Sequence, residues 1–151
     1  MKSTSALKTW AGSRGNRQPI TRYPSGHPVH VVIGAREGIP VFRNGDLAAP
    51  LFALVADHSK TLAGCLMPDH LHWLIADAAS MQQLVHSFKS YSTYAARTLG
   101  HKTKIWRRSY WDQVLQRDED LSAVAEYIVQ NPVRKGIVSD FRKYPYQIVK
   151  I

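Results

Sequence analysis

The chain has a single cysteine, Cys65, among its 151 residues. One thiol excludes an intrachain disulfide, and it also excludes zinc sites built from several cysteines. No apolar run approaches the roughly 20 residues that a transmembrane helix needs. Residues 1–10 lack the continuous apolar stretch of a secretory signal. We therefore expect a cytoplasmic protein that does not associate with a membrane, in which Cys65 is a small core residue.

Acidic residues are scarce, with 11 Asp and Glu against 20 Lys and Arg, so the formal net charge is +9. No acidic residue occurs in residues 1–30, and further basic segments lie at 101–117 and 134–150. Clustered positive charge favours a polyanionic partner, and nucleic acid is the first candidate. Charge that serves only solubility is the alternative.

Length and hydrophobic content, at 44%, indicate one domain with a well-buried core. Residues 1–26 are polar and basic, and they predict a flexible arm. Residues 27–151 predict a single folded domain. There is no internal repeat and no Gly-rich phosphate loop.

Hydrophobic periodicity and turn residues predict four strands, at about 28–35, 61–67, 70–76 and 110–116. Three helices are predicted at 46–58, 80–99 and 118–131, with Asp46, Ser80 and Asp118 as caps. Gly100 would end the second helix and Pro132 would stop the third. A short extended piece is predicted at 40–42. The order predicts an α+β fold: a ferredoxin-like antiparallel sheet with two helices packed on one face, plus a C-terminal helix.

Two histidines, His70 and His72, occupy alternate positions of the third predicted strand. Because strand side chains alternate with period two, both imidazoles should share one face, and Leu71 and Trp73 should face the core. Two neutral imidazoles make half of a divalent-metal site. For an isolated His-x-His, a pair of surface histidines is the more common explanation. His30, His58 and His86 are expected to be structural or exposed.

The last predicted helix carries a complete apolar stripe formed by Leu121, Val124, Ala125, Ile128 and Val129. Tyr127 lies off this stripe, and Asn131 follows it by one helical turn, so the phenol and the amide should share a second face. A tyrosine that only packs against a neighbouring element is the alternative.

Several motifs together resemble a known family. They are Met67-Pro68-Asp69-His70-Leu71-His72, Phe88-Lys89-Ser90-Tyr91, the segment 106–112 (WRRSYWD) and the segment 127–136 (YIVQNPVRKG). In this order, they resemble the single-tyrosine HUH transposases, and within them the REP-associated tyrosine transposases of bacteria. The resemblance covers about residues 28–146. It implies a catalytic domain that cleaves and transfers single-stranded or hairpin DNA through a 5′-phosphotyrosine intermediate, in DNA transposition or REP-element processing.

The resemblance also implies roles for individual residues. Tyr127 would be the nucleophile, and His70 and His72 would bind Mg²⁺ or Mn²⁺. The third metal ligand would be Asn131. Insertion-sequence relatives usually carry Gln at that offset, so the neighbouring Gln130 stays an alternative.

Basic residues near these motifs are candidate contacts to the DNA backbone. The candidates are Lys89, Arg107, Arg108, Arg134 and Lys135. The aromatic residues Trp106, Tyr110 and Trp111 either stack unpaired bases or belong to the core.

The sequence leaves other interpretations of the nucleophile, the function and the oligomeric state open. Tyr91, Tyr94 and Tyr110 are rival nucleophiles, but none has an Asn one turn later, and Tyr91 falls on the apolar stripe of its helix. The same fold could serve a non-catalytic DNA-hairpin-binding protein, or a hydrolase whose histidines activate water. The family includes homodimers with the tyrosine helix supplied in trans and monomers with it in cis. The short connection before the last helix slightly favours the cis arrangement.

Overall fold

The computed structural model describes residues 23–116 and 120–151. Most of the predicted arm, residues 1–26, lies outside these residues, and so does the predicted helix cap Asp118. The division into an arm and a single domain at residue 27 therefore stays a prediction.

The strands of the described residues are β1 Val29–Gly34, β2 Thr61–Met67, β3 His70–Ile75, β4 Trp111–Val114 and β5 Gln147–Val149. They form one antiparallel sheet in the order β4-β1-β3-β2-β5. The α-helices there are α1 Gly45–Asp57, α2 Ala78–Thr98, α3 Leu121–Val129 and α4 Asn131–Arg134. The predicted α+β, ferredoxin-like fold is confirmed, and β5 adds an edge strand that the sequence did not predict.

The two faces of the sheet bury different clusters. Leu71, Trp73 and Ile75 of β3 face the core beneath α1 and α2, as predicted. Leu74 of the same strand faces the opposite cluster, which contains the buried residues of α3. Because side chains alternate along β3, His70 and His72 lie on the α3 face. The sheet therefore separates a conventional apolar core from the face that carries the histidines.

Both predicted caps of the first two helices are wrong. Asn44 caps α1, because its side-chain oxygen accepts a hydrogen bond from the Asp46 backbone N–H at 3.0 Å. Asp77 caps α2 through the Ala79 N–H at 3.2 Å, and the Ser80 hydroxyl donates to the Asp77 carboxylate. In each case, the true cap lies two or three residues before the predicted one. Because several polar residues near each helix start could serve as the N-cap, tertiary contacts decide which of them does.

The buried face of α2 excludes Tyr91, which the sequence placed on the apolar stripe of this helix. Tyr91 is half exposed, while Ser92 and Ala96 are buried. The Ser92 hydroxyl donates to the Phe88 carbonyl at 2.7 Å and accepts from the Trp106 indole N–H at 2.6 Å. These bonds satisfy a buried hydroxyl, which hydropathy alone would assign to the surface.

Two local predictions also fail. Residues 40–42 are not extended, because a 3-10 turn, Val41–Arg43, buries Phe42 against Trp106. Pro132 does not end the helical region, because a second helix, α4, begins at Asn131 with the proline in its first turn. Proline is tolerated there, since the first N–H groups of a helix have no intrahelical partner. Gly100 follows α2 with a φ of 94°, as expected for a glycine that ends a helix.

Candidate active site

His70 and His72 lie side by side on β3, with ring centroids 4.9 Å apart. Both are buried, at 8% and 3% exposure. Nδ1 of His70 is 2.6 Å from the Asp69 carboxylate, and Nδ1 of His72 is 3.1 Å from Nε2 of His30. With Nδ1 of each ring engaged, Nε2 is the nitrogen of each that could coordinate a metal.

The imidazoles of His72 and His30 are held in the neutral form. Burial lowers the pKa of His72 well below its ordinary value, and the neighbouring His70 and His30 act in the same direction. Burial also lowers the pKa of His30 to about 3. The hydrogen bond from His70 lowers the pKa of the Asp69 carboxyl, which stays ionised. Neutral imidazoles are the species that bind metal ions.

Tyr127 approaches these histidines from α3. Its ring is half buried and meets the His72 ring edge-on, with centroids 6.4 Å apart. The guanidinium of Arg134 lies over the phenol ring, 4.0 Å from its centroid, and donates a 2.6 Å hydrogen bond to the Tyr127 carbonyl. The helix position predicted for the phenol, off the apolar stripe, is confirmed. The tertiary fold adds its proximity to His72.

Asn131 and Gln130 occupy different environments, which bears on the third ligand. Asn131 is 5% exposed, and its amide N–H donates to the Ile128 carbonyl at 3.0 Å, so its oxygen is the atom suited to a cation. Gln130 lines a groove between α3 and β5 with Glu126 and Val149. The sequence could not separate the two, because both follow Tyr127 by about one turn.

The donor set fits a divalent cation with mixed nitrogen and oxygen ligands. Residues 23–116 and 120–151 contain no group of three His, Cys, Asp or Glu side chains arranged to hold a metal. Asn131, a buried amide four residues after Tyr127, is the candidate for a third protein ligand. Two imidazole nitrogens and an amide oxygen, bound to one cation, would leave coordination positions for phosphate oxygens and water.

The five predicted DNA-contact residues separate into two places. Arg134 and Lys135 are exposed and lie close enough for their charge to lower the pKa of His72. Arg107 and Arg108 instead line a groove of about 1190 Å³ beside α2, together with Lys104.

Lys89 lines the same groove, and its ammonium group donates to the carbonyls of Arg107 and Arg108 at 2.8 and 3.2 Å. It therefore braces the loop that carries the two arginines. Its direct contact with DNA stays a prediction.

The aromatic candidates have structural partners. Trp106 and Tyr110 are buried in the core beneath the helices, which favours a role in core packing over base stacking for both. Trp111 packs edge-on against His30, with ring centroids 5.2 Å apart. Of the rival nucleophiles, Tyr94 is exposed on α2, and Tyr91 lies on the same helix.

Sequence reasoning missed His30 as part of this site. His30 lies on β1, 42 residues before its hydrogen-bond partner His72. Alternation within β1 puts His30 on one face of its strand, but the pairing of β1 with β3 is what brings it to the histidine pair. Asp69 was also missed, although a carboxylate directly before His70 was a local signal for it.

Comparison with known proteins identifies the family. The family model described as "Transposase IS200 like" matches residues 28–131. The chain belongs to the IS200-like transposase family, and the resemblance inferred from its motifs is confirmed at that level.

Individual relatives point to the same family. A curated relative from Haemophilus influenzae (strain Rd), named "Putative REP-associated tyrosine transposase", is 27% identical over 100 residues, which cover 58% of this chain and 57% of the relative. The match thus spans little more than half of that protein's length. A solved structure of a REP-associated tyrosine transposase bound to a REP hairpin superposes with a TM-score of 0.66. It is 20% identical and covers 89% of this chain and 82% of that one, which supports the fold. No helix of the described residues is long and apolar enough to cross a membrane.

Proposed function

We propose that this chain is a metal-dependent tyrosine DNA transposase, which cleaves single-stranded or hairpin DNA and transfers the cut strand. The observation that carries the proposal is the approach of the Tyr127 ring to His72, at 6.4 Å between centroids. Membership of the IS200-like family supports the reaction class. The similar transposase bound to a REP hairpin supports hairpin DNA as the substrate.

In the proposed reaction, the phenol oxygen of Tyr127 attacks the scissile phosphorus. The bond from phosphorus to the 3′ oxygen breaks, so the products are a 5′-phosphotyrosine link and a free 3′-OH. The phenol proton passes to solvent, and the departing 3′ oxygen gains a proton. Because a phosphodiester replaces a phosphodiester, an incoming 3′-OH can reverse the step on a new strand without ATP.

His70, His72 and Asn131 would hold Mg²⁺ or Mn²⁺. The cation, when bound, would neutralise charge on the phosphate oxygens during the attack. The two imidazole ligands favour Mn²⁺ over Mg²⁺, which prefers oxygen. Asp69 would keep the His70 ring oriented, since its carboxylate holds Nδ1.

Two sets of basic residues would bind the DNA. Arg134 and Lys135, near Tyr127, would contact the phosphate at the cut, and Arg107 and Arg108 would contact the backbone further along. The Tyr127 ring lies beside the His72 ring of its own chain, which favours catalysis in cis by a monomer over exchange of the helix between the subunits of a homodimer.

The test uses a panel of single-stranded hairpins of the REP type, labelled at either end and incubated with the protein and Mn²⁺ on a denaturing gel. We expect a covalent adduct that carries the label from the 3′ side of the break. Tyr127→Phe should abolish cleavage and adduct while hairpin binding remains. Tyr94→Phe, which alters an exposed phenol on α2, is the matched control and should cleave normally.

Two other outcomes would reject the proposal. Cleavage that survives Tyr127→Phe without an adduct would identify a hydrolase. Hairpin binding without cleavage across the panel, in a protein that also fails to bind Mn²⁺, would identify a non-catalytic DNA-binding protein.

A further inference from the structure

His30 is a fully buried histidine in direct contact with the candidate metal site. Its Nε2 lies 3.1 Å from Nδ1 of His72, with the ring centroids 5.3 Å apart and the ring planes inclined by 30°. Trp111 also packs against the His30 ring, with the two ring planes nearly perpendicular. His30 is therefore in contact with two aromatic rings, and its Nε2 is directed at one nitrogen of His72.

A hydrogen bond between two neutral imidazoles can run in either direction, and the direction decides what His72 can do. If Nδ1–H of His72 donates to His30, Nε2 of His72 keeps its lone pair and can coordinate a cation. If Nε2–H of His30 donates instead, the proton of His72 sits on its own Nε2. Coordination through Nε2 is then blocked until the proton moves.

The neighbouring strand favours the first direction. Donation by His72 requires His30 to carry its own proton on Nδ1, which then needs an acceptor. Nδ1 of His30 and Oε1 of Gln113 are both buried, and neither has a hydrogen-bond partner among the described residues. His30 and Gln113 are directly paired across β1 and β4, so their side chains leave the sheet on the same face.

We propose that His30 is a positioning residue, which holds His72 in the Nδ1–H tautomer and thereby makes Nε2 of His72 the metal-binding nitrogen. Gln113 completes the chain of bonds by accepting from Nδ1–H of His30 with a small side-chain adjustment. The proposal rests on the metal site proposed above. The two candidate metal ligands would then be oriented by different groups: the Asp69 carboxylate orients His70, and the neutral imidazole of His30 orients His72.

The deciding measurement is the tautomer of His72 in the metal-free protein, read from long-range ¹H–¹⁵N correlation spectra of the imidazole nitrogens at neutral pH. We expect the Nδ1–H form in the native protein. His30→Gln should preserve it, since a glutamine oxygen can replace Nε2 as acceptor. His30→Phe keeps a ring against Trp111 but has no acceptor, so it should shift His72 toward the Nε2–H form.

Metal affinity provides a second readout, from Mn²⁺ titration followed by electron paramagnetic resonance. Loss of a residue that orients a metal ligand typically weakens binding by about 10- to 100-fold. We expect a loss of that order for His30→Phe and a change below about three-fold for His30→Gln.

An Nε2–H tautomer of His72 in the native protein overturns the proposal, and this holds even if His30→Phe fails to fold. Native Mn²⁺ affinity in a folded His30→Phe protein overturns it too. A native protein that shows the Nδ1–H form yet binds no Mn²⁺ supports the positioning role of His30 and rejects the proposed metal site. Failure of the His30 proposal can therefore be distinguished from failure of the metal site.

Discussion

Arg134 contacts Tyr127 in two ways: its guanidinium stacks on the phenol ring, 4.0 Å from the centroid, and it also donates to the Tyr127 backbone carbonyl. The two residues are seven apart in sequence, on either side of the junction between α3 and α4. One side chain thus holds the ring and bridges two helices. The guanidinium remains exposed, where a phosphate group could also reach it.

Arg134→Lys should slow DNA cleavage more than it weakens DNA binding. Lysine keeps the charge but loses the planar group that stacks and donates together. An exposed cation–π contact is worth about 0.5–1 kcal/mol, which corresponds to roughly a two- to five-fold lower single-turnover cleavage rate. Arg142→Lys is the control, because Arg142 pairs with Asp140 outside the site. Equal rates in the two variants would rule out a positioning role for Arg134.

Asn131→Ala should weaken Mn²⁺ binding, whereas Gln130→Ala should not. Of these two amides, Asn131 is the buried one, while Gln130 lines the groove against β5. We expect at least a ten-fold loss of affinity for Asn131→Ala, measured by titration at constant pH, and less than a two-fold change for Gln130→Ala. Because Asn131 also bonds the Ile128 carbonyl, Asn131→Asp tests the ligand role separately and should restore binding. The opposite ranking of the two alanine variants would assign the third ligand to Gln130.

Asp77→Ala should destabilise the protein in a pH-dependent manner. Its carboxylate accepts from the N–H groups of Gly26 and Ala79 and from Lys60, and the Gly26 bond is the largest cause of its lowered pKa. Loss of a helix cap costs about 1 kcal/mol.

The sign of the pH effect follows from the lowered pKa of Asp77. The folded state favours the ionised carboxyl, so its stabilising contribution is complete above the unfolded pKa of 3.8 and is lost as pH falls through the lower folded pKa. Urea unfolding should show a gap between native protein and Asp77→Ala at pH 7 that narrows below pH 3.8. Asp46→Ala, at a predicted cap that the structure does not use, should cost less than half as much. A gap that stays constant with pH would contradict the ionised cap.

Much of the candidate site was predictable because it depends on local periodicity. Alternation along a strand puts His70 and His72 on one face, whatever the strand pairs with. The spacing of apolar residues in α3 puts Tyr127 off the buried stripe in the same way. Strong patterns of this kind also predicted the order of the elements through α3, and with it the ferredoxin-like sheet.

Features that depend on competing local choices were harder to predict. Asn44 and Asp77 cap their helices although Asp46 and Ser80 are equally suitable residues. A short edge strand such as β5 carries little periodic signal, and its pairing with β2 depends on the chain's return after α4.

The sequence by itself determined which side chains share a face, because the pitch of a helix and the alternation of a strand act over a few residues. Only the tertiary structure decided which faces meet. The pairing of β1 with β3 brings His30 to His72, and the docking of α3 brings Tyr127 to the same ring. These contacts join residues 42 and 55 positions apart, and burial of the apolar clusters on both faces of the sheet, rather than any local preference, holds them together.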